Sequence, residues 1–146
     1  MLKKLFLSLF IVCAASCAQN QVSTIPVGLS SGLDVGFPAR GVSRIEGDDI
    51  RFYGESGFLG YVQKETLPKE EQPATDFVNR ALELTKKKDW KFKEISKDGF
   101  VGYVVYVENT ATLHLASDQD TETVFTISTA DPEKIDEVIA TLKPSQ

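Results

Sequence analysis

The chain has 146 residues, 42% of them hydrophobic, with 21 acidic and 16 basic side chains and a net charge of −5. That length suits one domain able to bury about two thirds of its unfolded surface without disulfide or metal staples. An acidic balance with no basic cluster larger than Lys86-Lys87-Lys88 argues against nucleic acid as a partner.

Met1-Leu2-Lys3-Lys4 sets two cations ahead of an apolar run from Leu5 to Ala15, and small residues lead into Ser16-Cys17-Ala18. This is the layout of an export signal. The run has eleven residues, whereas a helix needs about 20 to cross the hydrocarbon core, so no permanent span is expected. Ala14-Ala15-Ser16-Cys17 resembles the lipobox of bacterial lipoproteins, with Ala14 where that family often has an aliphatic residue. The resemblance implies cleavage before Cys17 and a lipid anchor on that cysteine. Because Ala18 and not an aspartate follows, it also implies the periplasmic face of the outer membrane. Cys13 fits less well, since bulky Val12 precedes it. The alternative is an ordinary signal cut after Ser16 or Ala18, which leaves a soluble periplasmic or secreted protein. Either cut removes Lys3 and Lys4 and no acid, taking the charge from −5 to −7. Both cysteines lie in this segment, so the domain beyond Cys17 has no thiol for a disulfide, a zinc site or a nucleophile.

Residues 1–16 are thus expected to be a signal peptide, 17–32 a lipidated cysteine with a flexible tether rich in Gln, Ser, Thr and Gly, and 33–146 one domain. Leu33 to Phe37 reads as a strand stopped by Pro38. Residues 43–46 and 50–52 flank Gly47-Asp48-Asp49 as a hairpin, and a further strand runs from Gly57 to about Lys64. Leu67 to Gln72 is polar and prolines bound it, which predicts a loop. From Ala74 to Lys88 the apolar period changes: Phe77, Val78, Ala81, Leu82 and Leu84 form a helical stripe.

Trp90 to Ile95 and Gly99 to Val107 predict a hairpin, followed by strands at Thr112 to Ala116 and Thr123 to Ser128. Asp131 suits an N-cap and Pro132 the first helical position, with Ile135, Val138, Ile139 and Leu142 on one face of a second helix. Strands and helices in this irregular order predict an α+β domain, a twisted antiparallel sheet of about six to seven strands with both helices on one face. In element order and in the Phe37-Pro38 that ends the first strand, the chain resembles the Mog1/PsbP-like fold, which occurs in small exported proteins.

Gly57-Phe58-Leu59-Gly60-Tyr61-Val62 and Gly99-Phe100-Val101-Gly102-Tyr103-Val104 differ at one position in six. A duplicated hairpin-plus-helix unit and two strands in like surroundings explain this equally well. A glycine between large residues often admits a close approach to the backbone.

Chemistry is sparse. Gly28-Leu29-Ser30-Ser31-Gly32 matches the nucleophile elbow in letters, but a strand and not a helix is expected after it. His114 is the sole histidine; it alternates with Leu113 and Leu115 and reads as an exposed strand residue. Asp118 shares its face about 13 Å away, too far to bond. Asp118-Gln119-Asp120-Thr121-Glu122 alternates carboxylates but lacks the glycine and glutamate of a calcium loop, so a plain turn is expected there, as at Glu46, Asp48 and Asp49. No phosphate-cradling or dinucleotide glycine pattern occurs. No catalytic residue, metal ligand or cofactor is therefore assigned. The strand Phe100 to Val107 is apolar on both faces, which requires a second covering layer or else a partner or apolar ligand on a face carrying Tyr61, Tyr103 and Val105.

Two functions compete. One is a non-enzymatic binding or interaction module of the cell envelope, held to the membrane by lipid and meeting an envelope protein or small apolar ligand. The other is a small periplasmic hydrolase using His114, with Asp34, Asp76 or Asp89 as a partner brought near by folding.

Overall fold

The computed structural model describes residues 25–29, 32–38, 42–46 and 49–144. Cys13, Cys17 and the lipobox lie outside them, as do Ser30, Ser31 and Asp48. In chain order the elements are β1 (Ile25–Leu29), β2 (Leu33–Phe37), β3 (Val42–Glu46), β4 (Asp49–Gly54), β5 (Gly57–Thr66), α1 (Ala74–Lys87), β6 (Lys91–Lys97), β7 (Phe100–Val107), β8 (Thr110–Ser117), β9 (Thr123–Thr129), α2 (Ile135–Thr141) and β10 (Lys143–Pro144). Strands β3 to β9 form one antiparallel sheet in the order β3-β4-β5-β9-β8-β7-β6, and β1, β2 and β10 form a second. The domain is α+β.

Side chains of one strand point alternately to the two faces of its sheet, and the two faces here are covered by different layers. Phe52, Val62, Phe100, Val104, Leu113, Leu115, Phe125 and Ile127 point to one side, where β2 adds Leu33, Val35 and Phe37, α2 adds Ile135 and Val138, and Leu142 follows just after the helix. Tyr103, Val105, Ala116 and Val124 point to the other, where α1 packs Ala74, Val78 and Leu82 on them. The expected placement of both helices on one face is therefore corrected. A strand apolar on both sides, such as β7, needs cover on both, and one helix on each side supplies it.

The small sheet corrects a second expectation. The supposed tether 17–32 is ordered from Ile25: β1 pairs with β2 from Ile25↔Phe37 to Leu29↔Leu33 and buries Val27. Pro26 and Gly28 hide this strand from a pattern search because both are poor strand residues, tolerated on an edge.

Local signals hold where the chemistry is specific. Asp131 Oδ1 accepts a hydrogen bond from the Glu133 N–H at 3.0 Å, opening a 3-10 turn over Pro132–Lys134 that runs into α2. The α1 stripe buries Ala74, Val78, Leu82 and Thr85, while Leu84 is 59% exposed. Lys97 Nζ donates to the Ile139 and Ala140 carbonyls, both at 2.8 Å, joining the β6 edge to the C-terminal end of α2, where a cation is favoured. Among the described residues no helix is long and apolar enough to cross a membrane.

Candidate functional site

Helix α1 begins at the far end of the β8-β9 hairpin, where the Ala74 N–H donates to the Thr121 carbonyl at 2.8 Å. It then runs across β8 and β7 towards β6, ending where Lys86 pairs with Glu94 at 3.1 Å. The register continues this face of the sheet past the helix, along Tyr103↔His114, His114↔Thr126 and Gln63↔Thr126, and along Thr112↔Ser128 and Tyr61↔Ser128. Beside the helix it is a strip of hydroxyl, amide and imidazole groups in place of an apolar core.

Within the strip Thr112 and Ser128 hydroxyls bond each other at 3.1 Å, and Thr126 Oγ1 lies 3.3 Å from His114 Nδ1. The His114 ring lies against Tyr103, with centroids 5.1 Å apart and planes at 35°. His114 is half-buried and not plainly exposed, and burial pushes its pKa below the usual 6.5. The imidazole is neutral at pH 7 and serves as a hydrogen-bonding group. Its side-chain partner is a hydroxyl. Asp34 lies in β2, in the layer on the opposite side of the sheet, and the hydrogen bond of His114 goes to neither Asp76 nor Asp89. A base that activates water gains from a carboxylate orienting its second nitrogen; that arrangement is not formed here among the described residues.

The three candidate face residues separate. Tyr103 and Val105 are buried under α1, which corrects their assignment to a ligand or partner face and explains the doubly apolar strand by burial. Tyr61 remains half-buried at the margin of the strip. Burial raises its pKa, the Asp49 charge adds to this and Arg51 opposes it, so the phenol stays protonated and able to donate. Arg51 and Asp49, 3.6 Å apart, both belong to β4, which pairs with the strand of Tyr61.

The acidic turn is closed by its own hydrogen bonds: Asp120 Oδ1 accepts from the Glu122 N–H at 2.9 Å and the Thr123 N–H at 3.1 Å. Among the described residues no group of three or more His, Cys, Asp or Glu side chains is placed to hold a metal.

The sequence reading passed over two places. Thr112, Thr126 and Ser128 alternate with buried Leu113, Phe125 and Ile127, and that polar half of an otherwise apolar strand was the available signal. An open cleft of about 640 Å³ also lies between the small sheet and the end of α2, with Val27 and Val35 in its wall and Asp34 and Lys143 among its polar groups. One side of it, Pro26 to Gly28, was assigned to the tether, while the rest belongs to the expected first strand and second helix, so no pattern pointed to a cleft between them. Comparison with protein families, curated proteins and solved structures gives no match to this chain.

Proposed function

We propose that the chain is a non-enzymatic binding module of the cell envelope, anchored to a membrane by lipid on Cys17 and facing the periplasm from the outer membrane. The anchor rests on Ala14-Ala15-Ser16-Cys17 behind a short apolar run. The binding half rests on one observation: α1 stops short of β5, leaving Tyr61 beside the hydroxyl strip of β8 and β9 with no hydrolytic pair. A broad strip of donors and acceptors with an amphipathic tyrosine at its margin suits an envelope protein partner. The cleft of about 640 Å³ favours a second occupant, a small apolar ligand, since its size is that of ordinary ligand sites.

Labelling cells with a clickable palmitate tests the anchor: label should enter the chain and disappear in Cys17→Ser, and label persisting in that variant sinks the assignment. Assay of the purified chain against ester and amide substrates tests the rest. No turnover is expected, and turnover abolished by His114→Gln would restore the hydrolase.

A further inference from the structure

We propose that the end of the seven-stranded sheet bearing Phe58, Trp90 and Val107 is a membrane-contact surface that rests in the headgroup layer of the bilayer to which Cys17 is anchored. This rests on the lipid anchor proposed above. The sheet register defines the end. Phe52, Gly60, Thr129, Ala111, Tyr106 and Lys91 form one row across β4, β5, β9, β8, β7 and β6. One step beyond that row lie the β4-β5 hairpin tip with Phe58, the β7-β8 turn with Val107, and Trp90 just before β6, opposite Val107 if the Lys91↔Tyr106 register is extended.

Phe58 is 46% exposed, Trp90 42% and Val107 39%, and with Phe92 and Leu84 they complete the exposed large hydrophobic residues of the described chain. Phe92 is one step inside Trp90 on the same face, and Leu84 is in the last turns of α1, which lead to Trp90. Exposed apolar bulk is thus gathered towards one end. Phe58 and Trp90 lie on β5 and beside β6, four strand spacings or about 19 Å apart, so the end is a broad platform and not a single spot.

The path of the chain identifies what covers it. β2 runs from Leu33 to Phe37 towards this end, where Phe37 and Pro38 line a cleft with Phe58 and Leu59. β1 is antiparallel to β2, so the chain followed backwards from Leu29 to Ile25 heads the same way. Cys17 lies beyond residues 18–24, which reach at most about 25 Å fully extended. The described fold thus receives the chain, at Ile25, from the end where the aromatic residues are exposed, within that reach of the anchor.

Charge agrees with that orientation. The opposite end presents Glu70, Glu71, Asp98, Asp118, Asp120 and Glu122 against few lysines, and an anionic leaflet repels it. At the aromatic end Glu55, Asp89 and Glu108 are interspersed with Lys87, Lys88 and Lys91, with Lys88 Nζ 4.4 Å from the Trp90 ring centroid. A tryptophan flanked by lysines is the composition favoured at a membrane-water interface.

Trp90 is the only tryptophan, so its emission reports on the surface directly. Residues 17–146 contain one thiol, Cys17, which couples to a maleimide lipid in phosphatidylethanolamine/phosphatidylglycerol vesicles carrying brominated acyl chains. Tethering should shift Trp90 emission to the blue and quench it, and Phe58→Glu with Val107→Glu should abolish both changes while circular dichroism stays the same. The double variant Asp118→Asn, Asp120→Asn at the far end should leave the quenching intact. Unquenched emission after tethering overturns the proposal, as does quenching that survives the double glutamate variant. A blue shift without bromine quenching, together with a dimer in sedimentation, assigns the surface to a second copy and also overturns it. Because the tether is chemical, these outcomes do not depend on whether cells acylate Cys17, which the palmitate experiment tests separately.

Discussion

The hexapeptides Gly57–Val62 and Gly99–Val104 share five residues of six and lie in the same sheet, yet they occupy different surroundings. Val62 and Val104 are alike, both fully buried on the face closed by β2 and α2. Tyr103 is covered by α1, whereas Tyr61, at the equivalent place, lies beyond its reach. Phe100 is buried edge-on to Phe125, and Phe58 projects from a hairpin tip against Tyr53. The register explains this last difference: Phe52 pairs with Gly60 and Tyr53 with Phe58, so Leu59 is bulged out of the ladder and the strand turns before its phenylalanine reaches the core. Identical residues thus become core or surface according to the layer that happens to cover them.

The comparison can be broken by measurement, and the phenylalanines offer the largest contrast. Phe100→Ala empties a filled core site and should cost about 3–5 kcal/mol in urea unfolding, while Phe58→Ala should change stability by no more than about 0.5 kcal/mol. Equal losses would mean that the hairpin tip is packed. The tyrosines come next: Tyr103→Ala should cost about 3 kcal/mol by the same cavity argument, and Tyr61→Ala about 1 kcal/mol, because only part of its side chain leaves water. The valines should agree, Val62→Ala and Val104→Ala each costing about 2 kcal/mol, and a twofold disagreement would show that the closed face is not continuous.

The smallest effect is a pH dependence beside Tyr103. The folded pKa of His114 lies below its unfolded 6.5, so the unfolded chain binds the proton more readily. Its contribution is complete above pH 6.5 and is lost as the pH falls through the folded value. Unfolding followed from about pH 8 to about pH 5 should show a destabilisation on acidification that His114→Gln lacks. A parallel pair of curves would mean that the imidazole is solvated.

How much of this was legible depends on whether the determinant was local. Asp131 and Pro132 announce the start of the second helix because capping involves only neighbouring residues. The stripe at Val78 and Leu82 announces α1, since amphipathic period is a property of the segment itself. Neither says which face of the sheet the helix will cover, because that choice belongs to the connections around it. Leu84 belongs to the stripe in sequence but falls at its margin and stays in solvent. β1 and β10 are strands only by pairing with β2, and Pro26, Gly28 and Pro144 conceal that. At the site, His114 and Tyr61 stood out as residue types. Their neighbours Thr112, Thr126 and Ser128 came from two strands whose pairing the sequence does not display.

The margin of α1 is the proposed recognition surface. Photo-crosslinking in the intact envelope tests this most directly, with benzoylphenylalanine placed at Tyr61 and, for comparison, at Glu70 on the acidic end. One dominant adduct, protein or small molecule, is expected from position 61 and none from position 70. Equal labelling at both positions, or none at either, would contradict it.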